Sequence, residues 1–284
     1  MIKRILILPV LLIIFQFSIA QNYIEQFDGY RKWSGLEDHD FELEKRFDSH
    51  CRENSLLVDE FGMIEASNEN TWNYLTTVDL NDDTLLDIVY SGPSGGEASI
   101  VHFFIQTESE FIKVFEVMQG IAKIEWKGEL LHKIYSQDWG CCAETQLFNS
   151  VFQVTYNENN LPKFQKIYQS VELQDVLRKP KSYFKKPIRF KVESDGYKLR
   201  FQPKIDDETE FYSVDAVGNT IGTLRKGSTG TAYASKDDKT GRIWWYVAID
   251  PQFEISGDLL SRTFEYPTHV IGWLSSRYVS AIHD

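Results

Sequence analysis

The sequence holds little of what a metalloenzyme, a serine hydrolase or a nucleic-acid binder needs. Its six histidines (His39, His50, His102, His132, His269, His283) show no H-x-H or H-E-x-x-H spacing, so a catalytic zinc is not indicated. No G-x-S-x-G nucleophile turn occurs, and no glycine-rich phosphate cradle leads from a strand into a helix. The net charge is −12 with no basic stripe, which disfavours nucleic acid as a partner because phosphate contacts supply most of that affinity. After the first twenty residues no run is apolar and long enough to span a bilayer. Cysteine is scarce, with three in 284 residues.

What is present begins at the N-terminus. Lys3 and Arg4 precede an apolar run over residues 5–17, and Ser18-Ile19-Ala20 follows as a small-residue cleavage site. This is the pattern of a secretory signal peptide, with cutting expected after Ala20. The alternative, a membrane anchor, needs about 20 apolar residues and stop-transfer charges. No cysteine stands at the cleavage point, which argues against a lipoprotein. Removal of residues 1–20 leaves about 264 residues, room for two domains, and shifts the net charge to about −14. Hydrophobic content of 42% with 14% aromatics provides for packed cores.

Export permits a disulfide. Cys51 stands alone and Cys141-Cys142 are adjacent in "DWGCCAET", so the expected bridge joins Cys51 to Cys141 or Cys142. Closing a loop of about 90 residues would contribute roughly 4–5 kcal/mol in the chain-entropy model. Thiol-metal binding lacks a histidine at ligand spacing.

Residues 40–53, "DFELEKRFDSHCRE", predict a short helix capped by Asp40, with Phe41, Phe47 and Cys51 along one face. From Trp72 the pattern turns to short β-branched and aromatic runs: "NTWNYLTTV", "LLDIVYSG", "ASIVHFFIQT", "EFIKVFEVM", "IAKIEWKG", "ELLHKIYS", "FNSVFQVTY" and "KFQKIYQS". Turn residues such as Lys127-Gly128 and Asn157-Glu158-Asn159-Asn160 separate them. The expected fold is mainly β: a β-sandwich-like or partial-propeller-like domain with a short helix over residues 21–176, a basic, proline-bearing linker at 177–187, and a second β module over 188–284. "IRFKVESDGYKLRF" predicts a hairpin turning at Asp195-Gly196.

The second module carries GTLRKG at 222–227, GRIWWYV at 241–247 and GWLSSRYV at 272–279. In this order the motifs resemble those of bacterial Src-homology-3-like domains, over about residues 197–282. The resemblance implies a small β-barrel that binds peptides or cell-wall fragments and performs no chemistry. It points to Tyr233, Trp244, Trp245, Trp273 and Tyr278 as a ligand surface. Among adjacent strand residues at least one must face away from the core, and Trp245, with Tyr233 near it, is expected outward. Residues 251–269, "PQFEISGDLLSRTFEYPTH", stand where the family has a short hairpin, an insertion suited to capping the barrel or binding a partner.

The densest chemistry lies in "VDLNDDTLLDIVYSG" at 78–92. Asp79, Asn81, Asp83 and Asp87 occupy positions 1, 3, 5 and 9, and the carbonyl of Leu85 could serve position 7. Calcium takes six to eight oxygens, which alternate carboxylates supply from one stretch of chain. A helix-loop-helix or dockerin site needs an acid at position 12, where Tyr90 stands. "DLNDDTLLDI" resembles instead the strand-loop-strand calcium loop of FG-GAP propeller repeats. That likeness implies ligation by Asp79, Asn81, Asp83, Leu85 and Asp87, with Ile88 as the apolar position. Thr84 replaces the usual glycine at a left-handed position, and Asp82 replaces another. Asp and Asn also favour turns for local reasons, so a polar turn is the competing reading. One copy of the loop, with room for two or three blades, excludes a complete propeller from this segment.

Two functional readings emerge. The first is a non-enzymatic, calcium-stabilised protein of the periplasm or cell surface, binding an envelope peptide, glycan or protein. The second is a cell-wall hydrolase, with a histidine beside Cys141 or Cys142 and the barrel as targeting domain.

Overall fold

The computed structural model describes residues 23–27, 40–54, 74–94, 99–138, 145–257, 264 and 266–282. The chain is mainly β and divides into two compact units, Tyr30–Gln174, and Met1–Gly29 with Asp175–Asp284. The expected signal peptide lies outside the described residues.

In the first unit eight strands form two antiparallel meanders. β1 (Leu75–Val78), β2 (Asp87–Pro93), β3 (Ser99–Gln106) and β4 (Phe111–Val117) pair in sequence. So do β5 (Gly120–Lys127), β6 (Leu130–Asp138), β7 (Gln146–Tyr156) and β8 (Pro162–Leu173). Tight turns make neighbours of consecutive strands. Gly128 (φ 65°) and Asn160 (φ 58°) adopt the left-handed conformation such turns require.

Alternation along the strands gives each sheet a buried face. Val89, Val101, Phe103, Ile105 and Phe115 of the first sheet share one apolar cluster with Ile121, Leu131, Ile134, Phe152 and Val154 of the second. Aromatic rings pack across it: Phe115 lies 5.0 Å from Phe152, edge to face, and 4.5 Å from Phe164, centroid to centroid. The unit is therefore a two-sheet sandwich.

The opposite face of the first sheet carries helix α2 (Phe41–Asn54), the second helix after the short α1 (Tyr23–Gln26). Asp40 caps α2 as expected, its Oδ1 accepting from the backbone N–H groups of Glu42 (3.1 Å) and Leu43 (3.0 Å). The buried stripe differs from the expected one. Leu43, Phe47 and Cys51, spaced by four, pack on Leu75, Ile88, Tyr90, Ile100, Phe104 and Phe111, whereas Phe41 is 71% exposed. A spacing of four keeps residues on one helical face, and the six-residue step from Phe41 to Phe47 does not. Cys51 is a free thiol, pushed up to about 12 first by burial and then by the charge of Asp48. Its expected partners Cys141 and Cys142 lie outside the described residues.

The second unit contains β9 (Ile188–Val192), β10 (Tyr197–Arg200), β11 (Glu210–Phe211), β12 (Ala216–Val217), β13 (Thr220–Leu224), β14 (Thr229–Asp237), β15 (Ile243–Ile249), β16 (His269–Ser275) and β17 (Val279–Ala281). Pairing runs β17-β9-β14-β15-β16-β10-β13, all antiparallel, with β11-β12 a separate hairpin. Among the described residues no ladder joins β13 back to β17, so the expected barrel is an open sheet in its hydrogen bonding. Gly196 (φ 65°) does turn the chain, but β9 and β10 do not form the expected hairpin with each other. β9 pairs with β14 and β17, and β10 with β13 and β16.

Residues 177–187, expected as a linker, are held on this unit. The Arg178 N–H donates to the Phe201 carbonyl (2.8 Å) and the Phe184 N–H to that of Tyr233 (2.7 Å). The Trp273 indole N–H donates to the Arg178 carbonyl at 2.6 Å. The insertion begins as a cap over β13, where Thr223 and Ser256 exchange backbone bonds of 2.8 and 3.1 Å.

One buried titratable group ties this fold to pH. His102 stands on the helix-bearing face of the first sheet beside Tyr90 and Phe104. Burial pulls its imidazole down to about 4; Glu116, 3.3 Å from Nδ1, raises it and Lys113 lowers it. The native ring stays neutral where the unfolded one, near 6.5, takes up a proton. Its contribution is thus intact above pH 6.5 and is lost as pH falls from 6.5 to 4, by on the order of 2–3 kcal/mol. Urea melts at stepped pH should lose that increment in the native chain and not in His102→Gln; equal acid sensitivity would refute the assignment.

Candidate cation loop and aromatic surface

Residues 79–86 join β1 to β2, and the Val78–Asp87 pair closes the base of the loop. Leu80 is fully buried and belongs to the inter-sheet cluster. With Leu80 anchored inward, Asp79 and Asn81 on either side are drawn against the sandwich edge. The loop is a strand-loop-strand unit, as the flanking residues predict.

Its acidic side chains organise the backbone. Asp79 Oδ1 accepts from the N–H groups of Asn81 (3.2 Å) and Asp83 (3.3 Å), and its Oδ2 from Thr84 (2.9 Å). Asp83 Oδ1 accepts from the Leu85 N–H at 2.9 Å, and its Oδ2 from the Asn81 amide at 3.0 Å. Asp82 (φ 57°) and Thr84 (φ 70°) are both left-handed, the conformation expected at Thr84. Asp87 sits deepest, fully buried, with Oδ2 accepting from the Leu80 N–H and Oδ1 from that of Gln106, both at 2.8 Å. Burial pushes its carboxyl up to about 7; the two N–H donors oppose this, and the charges of Asp83 and Asp79 add to it.

Among the described residues no three His, Cys, Asp or Glu side chains converge as a metal cage. The carboxylates face backbone donors, and an ionised carboxylate offers about four acceptor sites, so unused lone pairs remain. The informative atom is on Asn81. This residue is 2% exposed, and its Nδ2 donates both to Asp83 Oδ2 and to the Asn160 carbonyl (3.2 Å). Two acceptors on that side fix the amide orientation. Oδ1 is left buried without a hydrogen-bond partner, which is costly unless something positive or protic meets it. Asn81 Oδ1 and the spare lone pairs of Asp79 and Asp83 are the oxygens that this loop would offer a hard cation. Asp87 is committed to holding Leu80 and Gln106 in place.

The aromatic residues divide sharply. Trp244, Trp273 and Tyr233 are 1%, 1% and 3% exposed, so they are core and not the expected ligand surface. On β15 alternation buries Trp244 and Tyr246 and leaves Trp245 half-buried, the outward member as expected. Tyr233 turns inward because the β14–β15 register shifts between Ala232 and Ala234, and such a bulge re-aims the side chain it carries. Tyr278 is exposed and meets Tyr197 edge-on at 5.9 Å.

Among the described residues of the second unit, the most exposed apolar side chains lie elsewhere, on the β11–β12 hairpin: Tyr212 is 87% exposed and Val217 69%. Glu210 pairs with Val217, and the Tyr212 hydroxyl donates to Glu210 at 2.5 Å, so the three are contiguous. The only sequence signal is a run of acids, "IDDETEFYSVDAV", punctuated by single aromatics. A buried polar spine holds this excursion rigid. Arg200 donates to the Asp206 carbonyl, Asp207 and Asn219 at 3.2, 2.9 and 2.6 Å. Fully buried Asn219 donates to the carbonyls of Gln202 (3.1 Å) and Lys204 (3.0 Å).

Compared with known proteins, the chain matches no protein-family model, no curated protein and no solved structure. The histidine partner that a hydrolase would require beside Cys141 or Cys142 concerns a segment outside the described residues. Among the described residues no helix is long and apolar enough to cross a membrane.

Thr84 offers a direct probe of loop strain. A β-branched residue in the left-handed region costs about 1–2 kcal/mol, of which glycine's extra unfolded-state entropy offsets part. Thr84→Gly keeps the N–H bond to Asp79 and should stabilise the chain by about 0.5–1 kcal/mol in chemical denaturation. A loss of stability would mean that the threonine side chain has a role of its own.

Proposed function

We propose that this chain is an exported binding protein of the cell envelope, stabilised by calcium in its N-terminal unit and recognising its partner through its C-terminal unit. The observation that carries the binding reading is the rigid β11–β12 hairpin, which exposes Tyr212 and Val217 on a frame held by Arg200 and Asn219. Ordering such a surface before binding lowers the entropy lost on association. Export rests on the signal-peptide pattern, and the Src-homology-3-like motifs over about 197–282 support binding without catalysis. Tyr278 and Tyr197, with half-buried Trp245, extend the candidate surface.

Of the envelope peptide, glycan or protein partners that the motifs imply, the charge of the hairpin favours a polypeptide with basic residues. Glu210 and Asp215 are exposed on it and Glu208 just before it, and residues 205–217 contain no lysine or arginine. A short peptide alternating lysine and leucine should bind the full chain in fluorescence anisotropy, weaken as salt rises, and lose at least tenfold in affinity in Tyr212→Ala. Equal binding of a glutamate-leucine peptide, or an unaffected Tyr212→Ala, would exclude the hairpin as the surface.

Calcium is supported by the orphaned Asn81 Oδ1 within the acidic loop. Extracellular-type sites with dissociation constants of about 0.1–1 mM would add about 1–2 kcal/mol at millimolar calcium. Thermal melts in calcium and in chelator should differ by a few degrees, and Asn81→Ala should erase the difference. Superimposable curves for the native chain would remove the ion.

A further inference from the structure

The loop that would hold the cation belongs to the first sheet, yet what fixes its critical amide belongs to the second. The hairpin between β7 and β8 reaches the loop through two reciprocal bonds. The Asn160 side-chain amide donates to the Asn81 carbonyl at 2.5 Å, and the Asn81 amide donates to the Asn160 carbonyl at 3.2 Å. These residues are 79 positions apart in sequence. Just before the hairpin, the Tyr156 hydroxyl meets the carbonyls of Leu80 (2.8 Å) and Leu131 (3.0 Å), one in the loop and one on β6. The hairpin is itself ordered by Asn157, whose Oδ1 accepts from the N–H groups of Asn159 and Leu161, both at 2.9 Å. Asn160 holds a left-handed φ of 58°, which asparagine tolerates better than most residues. That conformation turns both its carbonyl and its amide toward Asn81.

We infer that Asn160 is a positioning residue for the cation loop, and that an ion bound there clamps the two sheets of the N-terminal unit together. The inference rests on the calcium reading above and goes beyond it by naming what the ion regulates. The Asn160 carbonyl holds Asn81 Nδ2, so the opposite atom, Oδ1, is the one presented to the ion. An ion that engages Oδ1 polarises the amide and strengthens the Nδ2–H bond to Asn160. Loading the loop thereby tightens the hairpin, and an ordered hairpin raises the affinity of the loop, because coupling between two sites is reciprocal.

Hydrogen exchange on the full mature chain tests this, with calcium chloride, magnesium chloride and chelator as the three conditions. Calcium should slow exchange several-fold at residues 79–87 and also at residues 157–161, leaving the turn at 127–130 unchanged. Asn160→Val, a β-branched residue that disfavours the left-handed backbone, displaces both the side-chain donor and the carbonyl that holds Asn81 Nδ2. It should weaken calcium about tenfold by calorimetric titration and abolish the effect of calcium on the hairpin. A merely structural Asn160 would lower the melting temperature equally with and without calcium and leave calcium affinity unchanged, which overturns the inference. Protection confined to residues 79–87 in the native chain also overturns it, while the calcium reading stands. No response to calcium anywhere in the native chain sinks both.

Discussion

The geometry of the N-terminal unit depends on the apolar layer between its two sheets. Phe103 and Phe115 from one sheet and Phe152 and Phe164 from the other meet there, edge-on except for the tilted Phe115–Phe164 pair. Leu80 enters the same layer from the loop. Fully burying a leucine side chain is worth about 1.5–3 kcal/mol, enough to pin a polar segment that would otherwise drift into water. With Leu80 anchored, Asp79, Asn81 and Asp83 have nowhere to project except along the edge of the sandwich. The candidate site is thus a by-product of hydrophobic packing, and its polar atoms take the positions that packing leaves to them.

That placement explains the division of labour among the acids. Asp87, behind Leu80, is out of solvent, and its two oxygens satisfy the Leu80 and Gln106 N–H groups. Its elevated pKa is the cost of that position. Asp79 and Asp83, nearer the surface, fold the loop through backbone bonds and keep lone pairs in reserve. Position nine of the motif acts as a structural bracket, while the central asparagine carries the unmet need for a partner.

The C-terminal unit solves a related problem with buried charge. Arg189 makes a bidentate pair with Asp250 at 2.9 and 2.6 Å, and Thr229 donates to the same carboxylate. Burial alone would raise Asp250, but Arg189 and Thr229 outweigh it and hold the carboxyl below its usual range. Arg200 and Asn219 do the equivalent for the long excursion before β13. Both networks convert segments of poor regular structure into fixed ones, and a buried polar group achieves this only when every partner is supplied. The exposed tyrosine and valine of β11–β12 stand on such a frame.

Local chemistry was legible in the sequence to the extent that it acts over a few residues. Alternating β-branched runs specified the strands, Asp40 specified the start of α2, and the strand-like flanks of the acidic run specified a strand-loop-strand turn. Residue-level burial was less legible, because it depends on what lies opposite. Phe41 and Leu43 differ in their helical phase relative to a sheet that the helix sequence does not contain. Tyr233 is inward because of a register shift with β15, and Trp244 and Trp273 are core because strands from separate parts of the chain close over them. The Asn81–Asn160 pair spans 79 residues, and no local pattern announces it. Sequence alone determined which segments are strands and which loop is rich in oxygen donors, since those follow from side-chain periodicity and turn preference. Tertiary structure alone decided which donor is left unsatisfied and which aromatics meet solvent, since those depend on atoms brought together from distant parts of the chain.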